Sequence, residues 1–136
     1  MREKGHASVV MVTTPKGIVV VREPSKPPPI YWKLPGGASE PGETPIQTGV
    51  RELQGETGVS LNPKELRRIY DRDKGRYHFY LFRADLDFVP ELVECGHEGE
   101  EPGIMTPQEI LYGNNFLPPQ LEILGPHLRL LVSSSR

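Results

Sequence analysis

The sequence has one cysteine, no excess of positive charge and no long apolar run. The single thiol, Cys95, cannot form a disulfide within the chain. With 16 lysines and arginines against 18 acidic residues, the formal net charge is −2, so no basic face is expected to neutralise a nucleic acid backbone. No apolar segment reaches the length of a signal sequence or a membrane span. These absences favour a cytoplasmic protein whose partners include neither a nucleic acid polymer nor a membrane.

The length and composition predict a single domain. The 136 residues, of which 36% are hydrophobic and 25% charged, suit one core over residues 1–136. Residues 1–7 are polar and are expected to be frayed. The 14 glycines and 15 prolines predict many turns, while periodic hydrophobic segments argue against disorder. The sequence leaves open whether the domain is a monomer or a homodimer.

Four segments have the β-branched and aromatic composition of strands. Residues 8–13 and 17–22 are separated by a short turn with proline and glycine, so they predict a buried hairpin. Residues 66–70 and 76–84 predict a second pair of strands, joined by a polar turn. The last strand presents two sets of side chains on opposite faces: Tyr77, Phe79 and Leu81, and His78, Tyr80 and Phe82.

A proline-rich stretch follows the first hairpin. Residues 23–29 contain four prolines, which cannot donate a regular ladder of hydrogen bonds. The stretch therefore predicts a stiff connector of polyproline character, and a docking site for a proline-reading partner is the alternative. Residues 30–34 resume an extended aromatic segment, in which an anchoring role for Trp32 is favoured over stacking on a base.

Residues 44–58 carry the signals of a capped helix. Thr44 suits the N-cap, Pro45 suits the first helical position, and Gln47 is placed to close a capping box. Gly58 predicts the end of the helix. One apolar stripe for the core is formed by Ile46, Val50 and Leu53.

Two glutamates share another face of the predicted helix. Glu52 and Glu56 are four residues apart, so their carboxylates lie one turn above the other and repel by a few tenths of a kcal/mol, about the scale of such pairs on a helix. A divalent cation between them would reverse the sign of that interaction. Hard oxygen ligands suit Mg²⁺ or Mn²⁺, so the sequence predicts a site for one of these ions.

The segment from Gly37 to Val59 resembles the signature of the Nudix hydrolases, G-x5-E-x7-R-E-U-x-E-E-x-G-U, in which U is an aliphatic residue. One letter departs from the signature: Gly55 stands where the first glutamate of the E-E pair is expected. The matching positions are Gly37, Glu43, Arg51, Glu52, Leu53, Glu56, Gly58 and Val59.

The resemblance implies a fold and a chemistry. The expected fold is an α/β/α sandwich around a mixed β-sheet. The expected activity is hydrolysis of a phosphoanhydride bond by water, with Glu52 and Glu56 as metal ligands and catalytic residues. In this family the residues at the positions of Arg51 and Glu43 pair with each other and orient the metal-binding carboxylates, and the main-chain carbonyl at the position of Gly36 completes the metal shell.

An acidic, glycine-rich stretch, residues 94–103, looks too irregular for a regular element. The plain interpretation is a solvated loop. The resemblance implies a second one, because Nudix enzymes bring a further glutamate from a loop here to bind metal or to accept a proton from the attacking water. Glu98 is the first candidate for that role, followed by Glu100 and Glu101.

The C-terminal part predicts two more helices. Thr106, Pro107 and Glu109 form a second set of capping signals. A final helix is indicated by the spacing of apolar residues, and Gly125-Pro126 is a place where it could kink or divide. These apolar residues are Leu121, Leu124, Leu128 and Val132. The four histidines show no metal-ligand spacing, so surface or packing roles are the expectation.

Two functional hypotheses follow. The first is a hydrolase of a nucleoside diphosphate linked to another moiety, which is a small-molecule nucleotide. The second is a Nudix-like binding or regulatory domain that recognises a nucleotide without turning it over, and the missing carboxylate at Gly55 motivates it. The substrate stays open: Tyr77 lies where dinucleoside polyphosphate hydrolases of the family carry a tyrosine, while Leu121 stands where MutT-like members carry a purine-reading asparagine.

Overall fold

A computed structural model describes residues 4–134 of the chain. The predicted strands and helices lie close to where the sequence patterns place them, whereas the short strands Gly36–Ala38 and Glu101–Met105 were not predicted. A 3-10 turn at Pro63–Glu65 joins the first helix to the fourth strand. In chain order the elements are β1 (Gly5–Thr14), β2 (Gly17–Arg22), β3 (Gly36–Ala38), α1 (Pro45–Thr57), β4 (Arg67–Asp73), β5 (Tyr77–Asp85), β6 (Glu101–Met105), α2 (Pro107–Tyr112) and α3 (Pro118–Ser134).

The strands form one mixed sheet in the order β4-β5-β1-β2-β6. The predicted hairpin of β1 and β2 is confirmed, with Thr13 opposite Ile18. β1 lies parallel to β5 along its whole length, from Gly5 opposite Tyr77 to Thr13 opposite Asp85. The short strand β3 pairs with the first half of β1, beside the place where β2 pairs with the second half.

Side chains on the two faces of the sheet enter two separate cores. On one face, Val10, Val12 and Phe82 pack with Leu53 of α1. On the other face, the strands pack against α2 and α3 through a second cluster that includes Val9, Met11, Leu81, Ile110, Leu124 and Leu128. The expected α/β/α sandwich around a mixed sheet is therefore confirmed.

Helix α1 begins and ends where its sequence signals predict. The Thr44 hydroxyl accepts a hydrogen bond from the Gln47 main-chain nitrogen at 3.2 Å, and the Gln47 side chain accepts one from the Thr44 nitrogen at 2.9 Å. Gly58 closes the helix with φ 82°, a left-handed conformation that glycine adopts without strain. Gly49 lies against β1, since a Cβ there would be 3.2 Å from Cγ2 of Val10.

Two expectations about irregular segments were wrong in part. Residues 5–7, expected to be frayed, belong to β1 and pair with β5 and β3, which supply their main-chain partners; residues 1–3 of that segment lie outside the described part of the chain. The start of β6 falls inside the stretch 94–103 that looked too irregular for an element. It pairs with β2, and Pro102 is accommodated because β6 is an edge strand.

The final helix is continuous across Gly125-Pro126, with Pro126 inside α3. Thr106 caps α2 through the predicted box with Glu109. In the described range 4–134, every helix is too short or too polar to cross a bilayer.

An ion pair fastens the turn after β3 to α1. Nε and Nη2 of Arg51 donate to the two carboxylate oxygens of Glu43 at 2.6 and 3.0 Å. Glu43 also accepts from the Thr48 hydroxyl at 2.8 Å. The hydrogen-bonded Arg51 guanidinium lowers the pKa of Glu43 to about 2, so this carboxylate stabilises the folded state when it is ionised.

Truncation of Leu53 tests the docking of α1 on the sheet. Leu53 is fully buried, so Leu53→Ala is expected to lower the free energy of unfolding by about 2–5 kcal/mol, measured by urea denaturation. Gln54→Ala, on the exposed side of the same helix, is the matched control and should change it by less than about 0.5 kcal/mol. Equal losses in the two variants would contradict the docking.

The Glu43–Arg51 pair predicts a pH dependence of stability. Because the folded-state pKa of Glu43 is depressed, its contribution is complete above its normal pKa of 4.5 and is lost as the pH falls toward about 2. Glu43→Gln should therefore cost about 1–2 kcal/mol at pH 7, a modest value because Arg51 is partly solvent-screened. The difference from wild type should shrink between about pH 5 and pH 2.

Denaturation curves across that pH range provide the measurement. Glu122→Gln, which changes an exposed glutamate on α3, is the control for the loss of one carboxylate. A difference between wild type and Glu43→Gln that stays constant from pH 7 to pH 2 would show that the pair does not stabilise the fold.

Candidate functional site

A cleft of about 540 Å³ opens between the turn at β3, one side of α1 and the loop that precedes β6. Six glutamates line this cleft, which we call the carboxylate cleft: Glu23, Glu40, Glu52, Glu56, Glu98 and Glu100. Among the described lining residues, Lys33 and Arg51 carry the fixed positive charges, and the Lys33 amine is paired with Glu23 at 2.6 Å. The cleft is therefore strongly acidic, although the chain as a whole is nearly neutral.

The two glycines at the start of β3 let the main chain approach the carboxylates of α1. The Gly36 nitrogen donates a hydrogen bond to Oε1 of Glu56 at 3.1 Å. A Cβ at Gly37 would lie 2.8 Å from the carboxyl carbon of Glu52, and one at Gly36 would lie 2.3 Å from the Ser8 carbonyl oxygen. Any side chain at either position would push the turn away from β1 or from the glutamates.

Arg51 connects the turn and the helix carboxylates. In addition to its pair with Glu43, Nη1 donates to Oε1 of Glu52 at 2.5 Å, and Nη2 donates to the Ala38 carbonyl at 3.1 Å. These contacts raise the pKa of Arg51 above its normal value, first through the hydrogen bonds with Glu43. The guanidinium thus fixes the position of Glu52 from the side of the cleft that it lines.

Three carboxylates are nearly removed from solvent in this cleft. The exposed fraction is 5% for Glu56 and 2% for Glu100 as whole residues, and 13% for the side chain of Glu52. Burial raises the pKa of Glu56, and the Glu52 and Glu100 carboxylates raise it further. Burial of several acids together, with Arg51 pairing one of them, is the arrangement that a bound cation would stabilise.

The loop before β6 brings Glu100, rather than Glu98, to the interior of the cleft. Oε1 of Glu100 accepts a hydrogen bond from the Glu98 nitrogen at 3.0 Å, whereas the Glu98 side chain is 77% exposed at the rim. Glu101 points elsewhere and pairs with Arg22 at 3.0 Å. Of the three glutamates that the sequence offered as the functional loop residue, Glu98 and Glu100 therefore line the cleft and Glu101 lies outside it.

His97 is a cleft residue that the sequence patterns did not indicate. Its main-chain nitrogen donates to the Gly55 carbonyl at 2.8 Å. A Cβ built at Gly55 would lie 2.4 Å from Nδ1 of His97 and 2.6 Å from Cε1, so the imidazole fills the space beside this glycine. A hydrogen bond with the Gly55 main chain, together with the carboxylates of Glu100, Glu52 and Glu98, raises the pKa of His97.

The aromatic candidates lie away from the carboxylate cleft. Trp32 packs against the core on the α2–α3 face, and Arg22 lies over its ring at 4.6 Å, which agrees with the anchoring role. Tyr77 is exposed and is not among the residues that line the cleft. A larger cleft of about 790 Å³ lies at the start of α1, but both of its glutamates, Glu40 and Glu43, are already paired with Arg51.

Comparison with known proteins places these features in a family. A family model for the NUDIX domain matches residues 3–124. The phosphatase NudJ of Escherichia coli is 27% identical over 124 residues, an alignment that covers 85% of this chain and 78% of NudJ.

Solved structures show the same fold. A NUDIX family hydrolase from Clostridium perfringens has a TM-score of 0.73 at 13% identity, with 96% of this chain and 99% of that chain covered. A structure from work on MutT of Aliivibrio salmonicida and Vibrio cholerae has a TM-score of 0.71 at 22% identity, with 97% and 99% covered. The family model spans the glycine turn, α1 and the loop with His97, which together build the carboxylate cleft. The chain belongs to the Nudix hydrolase family.

Proposed function

We propose that this Nudix hydrolase cleaves a phosphoanhydride bond in a nucleoside diphosphate linked to another moiety, by attack of water and with Mg²⁺ or Mn²⁺. The observation that carries the proposal is the convergence of Glu52, Glu56 and Glu100 in one acidic cleft. A pyrophosphate is itself an anion, so it would be repelled from this cleft unless divalent cations lay between the two sets of negative charges.

The residues present fit a hard divalent cation. Glu52, Glu56 and Glu100 would hold it through carboxylate oxygens, the ligands that Mg²⁺ and Mn²⁺ take in proteins. The Gly36 carbonyl is a further proposed ligand. When bound, the ion would polarise the phosphate oxygens and lower the pKa of water, which is the chemistry that these ions supply in hydrolases.

The surrounding residues keep the carboxylates in place. Arg51 holds Glu52, Glu43 holds Arg51, and the Gly36 main-chain nitrogen holds Glu56. Such preorganisation stabilises charge that develops in the transition state without a cost of reorientation. We assign Arg51 and Glu43 as positioning residues on this basis.

Glu98 has a different proposed role from the buried acids. Its carboxylate lies at the solvent-exposed rim of the cleft, so it can accept a proton from a water molecule that enters to attack the phosphorus. Glu100, which is buried beside Glu56, is better placed as the loop ligand of the metal.

A shallow groove beside the carboxylate cleft suits the rest of a small-molecule substrate. The groove, about 160 Å³, shares Glu23 and Lys33 with the cleft and is otherwise lined by Lys26 and by apolar and aromatic side chains that include Ile30 and Tyr31. A planar or apolar group could rest there while the phosphates lie among the glutamates. A small nucleotide is therefore the proposed substrate, and the proposed location is the cytoplasm, where a free, exposed thiol such as Cys95 is common.

The hypothesis of a nucleotide-binding domain without turnover is not favoured. It rests on Gly55, yet the cleft keeps the buried carboxylates of Glu56 and Glu100 and the mostly buried carboxylate of Glu52 despite that glycine. A substrate panel separates the two hypotheses. Nucleoside triphosphates, oxidised nucleotides, dinucleoside polyphosphates and nucleotide sugars would be assayed with Mg²⁺ and with Mn²⁺, and product release above a metal-free control is expected for at least one class.

Replacement of Glu56 tests the proposed metal-dependent hydrolysis. Glu56→Gln removes one charge while keeping the shape, and we expect kcat/KM on the best substrate of the panel to fall by at least about 100-fold, because a ligand to the ion contributes several kcal/mol to charge stabilisation. Initial rates and circular dichroism would be measured together, so that loss of folding is recognised.

Glu122→Gln is the matched control, since this glutamate lies on α3 and is exposed. Its rate should equal that of the wild type within about twofold. Undiminished turnover in a folded Glu56→Gln variant would refute the assignment of the carboxylate cleft as the active site.

A further inference from the structure

The side chain that fills the space beside Gly55 comes from a distant part of the sequence. Two atoms of the His97 ring lie within 2.6 Å of the position that a Cβ at residue 55 would take. The loop is held there by main-chain hydrogen bonds to the end of α1, from Val93 to the Thr57 carbonyl at 2.9 Å and from His97 to the Gly55 carbonyl at 2.8 Å. Gly55 therefore lacks the carboxylate of the family signature and also makes room for an imidazole.

The orientation of the ring suits a metal ligand. Nδ1 lies against Gly55, while Nε2 lies on the side of Glu98, 3.7 Å from its Oε1. A metal-binding histidine usually donates its second ring N–H to a main-chain carbonyl or a carboxylate, which fixes the ring and its tautomer. The Gly55 main chain can provide that contact, and Nε2, beside Glu98 at the rim of the cleft, is then the nitrogen that can bind an ion.

Donor atoms of His97, Glu98 and Glu100 are close enough to share an ion. One ligand atom from each lies within 4.8 Å of the other two. Glu100 is the buried member of the three and also lies beside Glu56. The group is therefore continuous with the carboxylates of α1 rather than a separate patch on the surface.

We propose that His97 replaces the missing glutamate of the signature as a ligand of the catalytic metal, through Nε2. The inference rests on the proposed function, because it assigns one more ligand to the same ion. It differs from the expectation of the sequence, in which all the side-chain donors are carboxylates and the histidines have surface or packing roles.

A nitrogen ligand changes which ion the cleft prefers. Mg²⁺ favours oxygen ligands, whereas imidazole suits transition ions and Mn²⁺ accepts it. Exchange of a carboxylate for an imidazole also removes one negative charge from the shell, which weakens the attraction for a hard cation. The wild-type protein should therefore bind Mn²⁺ more tightly than Mg²⁺, and His97 should account for a large part of the difference.

The direct test is spectroscopic and requires no substrate. Mn²⁺ alone would be added to the purified full chain at pH 8, and electron spin echo envelope modulation would be recorded for ¹⁴N coupling from a coordinated imidazole. We expect the coupling in the wild type, its loss in His97→Ala, and its retention in His127→Ala. His127 lies on α3, which packs on the opposite face of the sheet from α1, so it is the matched control.

Titration calorimetry with each ion gives the affinities. His97→Ala should weaken Mn²⁺ binding by about 10-fold or more and change Mg²⁺ binding less, so that the ratio of the two affinities falls. The double variant Gly55→Glu/His97→Ala places a carboxylate where the ring was, and it should recover Mg²⁺ affinity. Gly55→Glu alone should lose affinity for both ions, because its side chain meets the His97 ring.

The outcomes separate this inference from the proposed function. Mn²⁺ that binds with no ¹⁴N coupling in the wild type, and is released by Glu56→Gln, would overturn the role of His97 and leave the metal-dependent hydrolase intact. Absence of any Mn²⁺ binding that depends on Glu56 would overturn both. Coupling that persists in folded His97→Ala would assign the nitrogen to another residue and also refute the inference.

Discussion

Repulsion between buried carboxylates is the constraint around which this structure is built. Glu52, Glu56 and Glu100 are nearly withdrawn from solvent within one cleft. Burial destabilises each ionised carboxylate, and the neighbouring negative charges repel one another. The protein holds them there with the Arg51 guanidinium and with the main chain at Gly36. The fold therefore tolerates a local destabilisation at the place where chemistry is proposed, which is common at functional sites.

The rigid parts of the fold keep this arrangement in place. Helix α1 is fixed at its start by a capping box and along its length by the core on one face of the sheet. The turn at β3 is fixed because Gly36 lies directly against β1. The main chains of β1, the turn at β3 and α1 thus depend on one another near the cleft. A shift of any one of them would change the distances between the carboxylates. The geometry of the site therefore depends on the core packing between α1 and the sheet, as well as on the residues that line the cleft.

Structural features that depend on residues close together in the sequence could be predicted. The N-terminal cap of α1 depends on Thr44 and Gln47, which are three residues apart, and the shared face of Glu52 and Glu56 follows from helical spacing alone. The faces of β5 follow from alternation in the same way. In each case the residues that determine the feature lie within a few positions of one another in the sequence.

Contacts between distant residues could not be predicted in this way. The loop glutamates are only two residues apart in sequence, yet Glu100 is buried and Glu98 is exposed, because hydrogen bonds to the end of α1 fix the path of the loop. The same bonds place His97 on Gly55, and no spacing rule links these two residues. The start of β6 was missed for a related reason, since its strand geometry comes from pairing with β2 rather than from its own composition.

The parallel pairing of β1 with β5 has a consequence for how the chain reaches this structure. β1 precedes the other strands of this sheet in the sequence, and it occupies the middle of the sheet. Its longest partner arrives only after the turn at β3, the whole of α1 and β4 have been made. Pairings between such distant segments close large loops and fold slowly. The hydrophobic hairpin of β1 and β2 therefore has two unpaired edges until β5 and β6 have been made, and unpaired strand edges can pair with other chains.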